Sequence, residues 1–563
     1  MAGFKTLVSV VLEAEESFAR GWQAVTHSQN DMSVTTSPAK PHTENIGRSA
    51  FLVAAGIFLS RIFGLVREGV FSYFFGLAPA ADAFRAAMRI PNILQNLFGE
   101  GVLSASFIPV YAKLVAQGEE EESGRVAGAV FSLLALVTSV LVLLGVLATP
   151  WLIDLIAPGF HDARRPLTIQ LVRIFFPGVG LLVLSAWCLG ILNSHRKFFL
   201  SYVSPVIWNV AIITGLLIFG RNASLAQLAV YGAWASVVGS GLQFLVQLPV
   251  VMRLAPKMRF ALRALGENVR VVISNFVPVF VSRGVVQLSA YIDTLLASFL
   301  PSSAVAALFS AQALYLLPVS MFGMSISVAE LPGMSSALGN EREVAETLRR
   351  RITSSTRRIA FFVVPSAMAF FALGDVIAGV LFQRGRFNAN DTNYVWGILA
   401  GSAVGLVAAT VGRLYSSAYY ALRDTRTPLR YAVVRVLLTT ALGYMCALPL
   451  PRLLGINPRW GAAGLTVSYG IAAWLEFLLL RRGMSRKIGE IESPVGYFGR
   501  LWAAAVISAA IAWGLRILLH PQRPLLAAVE IVLPYGLAYL LLTVALGIDE
   551  ARALQRRLTV MWR

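Results

Sequence analysis

Charged side chains lie inside the first two long apolar stretches of the chain. Residues 49–113 contain four arginines and three carboxylates among runs of aliphatic and aromatic residues: Arg61, Arg67, Glu68, Asp82, Arg85, Arg89 and Glu100. A charge near the centre of a bilayer costs about a few kcal/mol, so such residues usually face a bundle interior or a water-filled cavity. We therefore expect a cationic cavity inside a membrane bundle, which is typical of a transporter for an anionic substrate.

The spacing of these charges predicts which of them share a helical face. Asp82, Arg85 and Arg89 recur at i, i+3 and i+7, which places one anion and two cations on a single face. Arg67 has a planar fork that suits the two oxygens of a phosphate. Salt bridging between helices, from the Arg67–Glu68 region to Asp82 or Glu100, is the alternative interpretation of the same residues.

The composition predicts that these charged residues lie on membrane-spanning helices. The 563 residues are 57% hydrophobic and 14% charged, with a mean hydropathy of +0.69. Apolar runs of about 20 residues without alternation favour helices over a β-barrel. We predict an all-α polytopic membrane protein with fourteen spans, numbered 1 to 14 in chain order: 49–75, 82–113, 126–156, 167–194, 200–220, 226–252, 270–300, 303–338, 358–383, 392–422, 428–450, 461–481, 498–519 and 525–547.

The net charge of +19 has a topological explanation. Most loop Lys and Arg residues lie in the even-numbered connections and the C-terminal segment, and the positive-inside rule makes these cytoplasmic. The same rule places both termini in the cytoplasm and argues against nucleic acid as a partner.

Matching residues at a nearly constant offset predict two similar lobes. Ser60-Arg61 is echoed by Ser282-Arg283, Pro109 by Pro332, and Val179-Gly180-Leu181 by Val404-Gly405-Leu406. Parallel repeats of six spans are a common basis for alternating access. We predict a disordered cytoplasmic tail over 1–47, an N-lobe over 48–260, a C-lobe over 261–483, and spans 13 and 14 with a cytoplasmic C-terminus over 484–563.

Several motifs in consistent order resemble the MurJ/MviN family of lipid II flippases. They are Ser60-Arg61 with Gly64 and Arg67, Ala81-Asp82-Ala83-Phe84, Pro91-Asn92, Glu100-Gly101, Phe107-Ile108-Pro109, Ala157-Pro158-Gly159-Phe160, Pro365-Ser366-Ala367, Leu381 to Phe387, and Tyr420 with Arg423 to Pro428. The resemblance covers about residues 48–548. It implies the fold of the multidrug/oligosaccharidyl-lipid/polysaccharide exporter superfamily, in which two lobes surround a central cavity, with spans 13 and 14 forming a groove for a lipid tail.

The resemblance also implies a substrate, an undecaprenyl pyrophosphate that carries a disaccharide–pentapeptide. Cavity arginines would bind the pyrophosphate while the lobes rock, which moves the lipid from the cytoplasmic to the outer leaflet of the bacterial inner membrane. Other expected partners are membrane lipids and, as candidates, cell-wall synthesis proteins.

The sequence departs from the family pattern at the expected cavity. Gln95 stands where the family has an arginine in span 2, and Ala311-Gln312-Ala313-Leu314 stands where an Ala-Asp-Arg-Leu run is expected in span 8. Leu316 replaces a family glutamate. Either other cations compensate for the lost charges, or the substrate is another polyprenyl-linked oligosaccharide or amphiphile.

Arg283 and Arg413 are the candidate compensating cations, together with Arg85 and Arg89. A snorkelling residue at Arg283 and a mid-helix ion pair at Arg413 are the alternatives. Asp293 in span 7 is a candidate carboxylate for a coupling cation of unknown identity, but span 11 has no Asp, Glu or Asn to complete such a site. No cofactor or metal is expected.

The remaining polar residues form no recognisable catalytic motif. There is no P-loop, and the five histidines lie in tails or short loops. The sequence therefore predicts a transporter rather than an enzyme, and a membrane scaffold that recruits cell-wall enzymes without transporting anything is the hypothesis from another class.

Overall fold

A computed structural model describes residues 42–259, 266–335, 341–422, 424–492, 495–521 and 523–561. The described residues are helical with short connections, and they include no β-strand. Twelve helical segments among them are long and apolar enough to cross a membrane, and helices also cover the other two predicted spans, spans 1 and 7. The prediction of an all-α polytopic membrane protein is confirmed.

The helices of the first six spans follow the apolar runs closely. Their bounds are His42–Phe75 for span 1; Pro79–Phe98, Glu100–Ser106 and Ile108–Ala116 for span 2; Glu120–Leu147 and Thr149–Ile156 for span 3; Arg164–Ser194 for span 4; Phe198–Phe219 for span 5; and Leu225–Leu254 for span 6. Of the tail predicted for 1–47, residues 1–41 lie outside the described residues, and the helix of span 1 already begins at His42.

The helices of the last eight spans include two π-helical segments. Their bounds are Glu267–Ser298 for span 7; Ala304–Pro318, the π-helix Val319–Met324 and Ser325–Ser335 for span 8; Glu341–Phe382 for span 9; Ala389–Ala421 for span 10; Arg426–Ala447 and Pro449–Leu453 for span 11; Gly461–Ile488 for span 12, preceded by the 3₁₀ turn Pro458–Trp460; Val495–Leu519 for span 13; and Pro524–Ala527, the π-helix Ala528–Val532 and Leu533–Ala545 for span 14, followed by Asp549–Met561.

The chain divides into two compact units. The first comprises the described residues within Met1–Phe71, Ala83–Ile156 and Asp162–Ala290, and the second comprises those within Ser72–Asp82, Ala157–His161 and Tyr291–Arg563. Most of span 7 belongs to the first unit, as do spans 3 to 6 except for the loop after span 3. The lobe boundary at 260/261, which was drawn from the sequence repeat, stays a prediction.

A tightly packed interior holds the first unit together. Trp187 of span 4 is fully buried and its indole N–H donates to the carbonyl oxygen of Ala127 in span 3 at 3.2 Å. Gln247 of span 6 donates to the hydroxyl oxygens of Ser185 at 2.7 Å and Ser204 at 2.9 Å. Such polar contacts between spans 4, 5 and 6 supply attraction that apolar side chains cannot supply in lipid.

Close glycine contacts and side chain to backbone hydrogen bonds organise the second unit. Spans 10 and 12 cross so closely at Gly405 that an added Cβ would lie 2.4 Å from Cα of Gly470. Spans 13 and 14 pack against span 9, where the hydroxyls of Tyr535 and Tyr539 donate to backbone carbonyl oxygens at 2.7 and 2.8 Å. These anchors fix the last two spans on the second unit.

Candidate functional site

Span 1 and span 2 place a charged cluster inside the first unit. Arg67 Nη2 donates to Glu68 Oε1 at 2.6 Å, and Arg85 Nη1 donates to the same oxygen at 3.1 Å. Arg85 Nη2 also donates to Glu68 Oε2, so two guanidinium nitrogens of Arg85 grip both carboxylate oxygens. The Arg85 side chain is 5% exposed and that of Glu68 is 9% exposed. This buried fork makes Arg85 the structural partner of Glu68.

Arg67 occupies a more open position in the same cluster. Its side chain is 17% exposed, and its guanidinium carbon lies 4.9 Å from the centre of the Trp208 ring in span 5. Trp208 is itself fixed, because its indole N–H donates to Ser236 Oγ at 3.0 Å. Two arginines share one carboxylate, so the cluster keeps one net positive charge, and Arg67 is the member that an incoming anion can reach.

The other predicted cations of spans 1 and 2 lie on the same two helices. Arg61 is exposed, six residues before Arg67 in the helix of span 1, and Arg89 is half-buried, one turn after Arg85. Glu100 begins a new helix after Gly99, and its side chain lies outside the described residues. The cluster that the structure brings together is therefore Arg67, Glu68 and Arg85.

Asp82 belongs to the second unit, where it caps a helix. Its side chain is fully buried, and its two oxygens accept from the backbone N–H groups of Ser303 at 2.7 Å and Ala306 at 2.8 Å. These amides lie at the N-terminus of the first helix of span 8, where a carboxylate satisfies free N–H groups and complements the helix dipole. Asp82 therefore caps a helix of span 8, and the alternative of salt bridging from Arg67 to Asp82 or Glu100 stays a prediction.

Two family-like loop motifs hold backbone segments of the second unit together. Arg386 N donates to the carbonyl oxygen of Tyr73 at 2.9 Å, and Gly385 beside it has a φ of +61°. Gly159 N donates to Ser298 Oγ at 3.1 Å, at a point where a Cβ would lie 2.1 Å from the Ser298 carbonyl oxygen. Glycine is required at both contacts because any side chain would collide with the facing backbone.

Three further predicted residues lie on spans 7 and 10. Arg283 is in the helix of span 7, but its side chain lies outside the described residues. Asp293 is half-buried near the end of the same helix, and Arg413 is exposed in span 10. Among the residues that the structure describes, no three His, Cys, Asp or Glu side chains lie together as a metal site.

An ion pair that the sequence did not predict joins spans 11 and 12. Arg435 Nε lies 3.1 Å from Glu476 Oε2, and Arg435 Nη1 donates to the hydroxyl oxygen of Tyr469 at 3.3 Å. Span 11 contains no carboxylate, so a cation site gave no reason to single out Arg435. A search for any charge inside an apolar run would have found both members.

Comparisons with known proteins agree with this architecture. The family model described as "Lipid II flippase MurJ" matches residues 71–548. The lipid II flippase MurJ of Burkholderia cenocepacia is 32% identical, over 83% of this chain and 89% of its own length. The probable lipid II flippase MurJ of Rhizobium tropici is 31% identical, over 88% and 92%.

Solved structures show the same fold. A lipid II flippase MurJ in an inward closed conformation superposes with a TM-score of 0.73 at 23% identity, covering 89% of this chain and 99% of that one. An inward-facing multidrug transporter of the MATE family gives a TM-score of 0.62 at 18% identity, covering 78% and 98%. The family match over most of the length, with relatives above 30% identity, shows that this chain belongs to the MurJ lipid II flippase family.

Proposed function

We propose that this protein translocates lipid II, the lipid-linked peptidoglycan precursor, from the cytoplasmic to the outer leaflet of the bacterial cytoplasmic membrane. The relatives that match nearly the whole chain are named for this activity. The observation that carries the proposal is the cluster of Arg67, Glu68 and Arg85, which leaves one net positive charge inside a membrane bundle. We infer that the lipid is moved by alternating access. This kind of transport requires no catalytic group.

The chemistry of the cluster suits a pyrophosphate. Arg67 already has its guanidinium positioned by Glu68 and by the Trp208 ring, so little side-chain freedom is lost when a phosphate binds. Glu68 is held on both oxygens by Arg85, which limits its competition with an incoming anion for Arg67. Arg61 and Arg89 add positive charge on the same two helices.

The membrane orientation follows from the loop charges. The helix of span 9 begins well before its apolar part and carries Arg349, Arg350, Arg351, Arg357 and Arg358. A basic helix of this kind is typical of a cytoplasmic surface that contacts anionic headgroups. We place both termini in the cytoplasm on this basis.

A small apolar pocket in the second unit fits part of a lipid tail. It has a volume of about 210 Å³ and is lined mainly by apolar side chains of spans 10, 12 and 13, including Val411, Trp474, Phe477, Val495 and Phe498. Its place beside span 13 agrees with the groove that the family resemblance implies. Asp293 stays the candidate carboxylate for a coupling cation.

Complementation of a strain depleted of its own lipid II flippase tests the proposal. The unaltered chain should restore growth, whereas Arg67→Ala should not, at equal membrane abundance. Arg350→Ala is the matched control, because this arginine is 75% exposed and pairs with Glu346 one turn away on the same helix. It should complement normally.

Two outcomes would contradict the proposal. A well-inserted wild-type chain that fails to restore growth favours the transport of another polyprenyl-linked oligosaccharide, which direct assays with such lipids would test. Full complementation by Arg67→Ala together with other charge-removing cavity variants favours the non-transporting scaffold.

A further inference from the structure

The ion pair between spans 11 and 12 differs in geometry from the cluster in the first unit. The side chains of Arg435 and Glu476 are 20% and 17% exposed, against 5% and 9% for Arg85 and Glu68. Among the described residues, the Nε hydrogen of Arg435 has no hydrogen-bond acceptor, although a carboxylate oxygen of Glu476 lies 3.1 Å from Nε. Charge attraction therefore holds this pair together without the two hydrogen bonds that join Arg85 to both oxygens of Glu68.

A second arginine lies near this pair. Arg413 of span 10 is exposed and interacts electrostatically with Glu476. At 1.5 Å per residue, Arg413, Arg435 and Glu476 lie roughly 12, 14 and 18 Å from the nearest ends of their helices. An exposed guanidinium at this depth needs water or an anion beside it, because lipid does not solvate it.

The charges of this group do not balance. Two guanidinium groups, those of Arg413 and Arg435, interact with the one carboxylate of Glu476. One net positive charge therefore stays on this group of three described residues, and Arg413 is its exposed member. An anion with several oxygens would complete the group more fully than Glu476 does.

We propose that Arg413 and Arg435 form an anion subsite of the second unit for the pyrophosphate of the substrate, with Glu476 as the counter-ion when the subsite is empty. The inference rests on the proposed function and deepens it, because it names residues outside spans 1 and 2 that bind the same chemical group. Arg435 exchanges the Glu476 carboxylate for phosphate oxygens, to which arginine binds in a two-pronged manner. Glu476 therefore competes with the substrate.

Competition gives the two members of the ion pair opposite effects on binding. Lipid II binding is measured with the purified full-length chain in nanodiscs. Glu476→Gln should tighten binding and Arg435→Gln should weaken it, each by about tenfold, the scale expected for one charge-assisted hydrogen bond. Arg413→Gln should weaken binding too, and its exposed position makes it safe for folding.

The second unit offers a matched control for the loss of a carboxylate. Asp375 of span 9 pairs with Arg516 of span 13 at 2.6 Å, remote in sequence from the proposed subsite. Asp375→Asn removes the same charge as Glu476→Gln and should leave lipid II affinity unchanged. Thermal unfolding of each variant checks that the fold is retained.

The outcomes separate the inference from the proposed function. If the unaltered chain binds lipid II but Glu476→Gln weakens binding as Arg435→Gln does, the pair is only structural and the inference fails alone. Unchanged binding by a well-folded Arg413→Gln also overturns the inference, even where Glu476→Gln does not fold. If the unaltered chain binds no lipid II, the proposed function fails and the inference fails with it.

Discussion

Removing Arg85 should destabilise the first unit rather than merely disable transport. Arg85 is almost fully buried, holds both oxygens of Glu68, and places its guanidinium carbon 4.0 Å from the centre of the Phe71 ring. An arginine with these contacts has little freedom to bind anything else. Arg85→Met replaces it with an apolar chain of similar length and leaves the buried Glu68 carboxylate paired with Arg67.

The expected cost follows from the geometry of the pair. Breaking a buried ion pair by removing one partner costs about 3–5 kcal/mol, whereas replacing both partners by apolar residues is often close to neutral. The double variant Glu68→Met/Arg85→Met should therefore be more stable than Arg85→Met alone. Arg67, which is 17% exposed, loses its partner in the double variant but keeps some contact with solvent. We expect a coupling energy of roughly 2–4 kcal/mol between Arg85 and Glu68.

The free energy of unfolding of the purified chain, measured by titration with SDS, gives this cycle directly. Arg67→Met is the comparison within the same cluster, because it leaves the fork of Arg85 intact. It should reduce stability much less than Arg85→Met and still abolish complementation. Additive effects of the Glu68 and Arg85 substitutions, or a stable Arg85→Met that has lost only transport, would refute the structural role of Arg85.

Three other substitutions test contacts in the rest of the chain. Asp82→Ala leaves two backbone amides at the start of span 8 without their acceptor, so it should cost about 1–3 kcal/mol and lower the Tm. Gly385→Ala should lower the Tm because its Cβ would lie 2.3 Å from a carbonyl oxygen, whereas Gly118→Ala, also at positive φ but with open space around it, should have a smaller effect. The hydrogen bond from Lys487 holds the pKa of Asp424 below its usual range, so its stabilisation is present above about pH 4 and is lost as the pH falls below that value. Asp424→Asn should accordingly lower the Tm at pH 7, and the difference from wild type should shrink in acid.

The apolar runs predict the helices well because lipid leaves the backbone few alternatives. Every predicted span coincides with one or more helices, since each backbone group in hydrocarbon must be satisfied within its own segment. The breaks inside spans depend on packing and are harder to predict. Gly99 interrupts span 2, and the π-helical segment Val319–Met324 follows Pro318 in span 8, although other spans keep a proline within a continuous helix.

The partners of the charged residues were predicted less well. The sequence identifies Asp82 as a buried charge and invites a search for an opposite charge, but its two oxygens accept from backbone amides, which every residue except proline carries. The fork between Glu68 and Arg85 joins residues 17 positions apart on two helices, so its geometry depends on how spans 1 and 2 pack. The charged residues in apolar runs predicted that a buried cluster would form. The packing of spans 1 and 2 determines which of them belong to it.

The two units use the same charges in two different arrangements. The cluster of the first unit and the group in the second unit each have two arginines and one glutamate, but Arg85 donates to both oxygens of Glu68, whereas Arg435 lies 3.1 Å from one oxygen of Glu476. This contrast bears on Gln95 and Gln312, where cations or anions of the family pattern are missing. All polyprenyl pyrophosphate glycans share the diphosphate, so a chain that moves its arginines to another helix keeps recognition of that shared group. The proposed subsite at Arg413 and Arg435 would therefore account for the missing cations without a change of substrate.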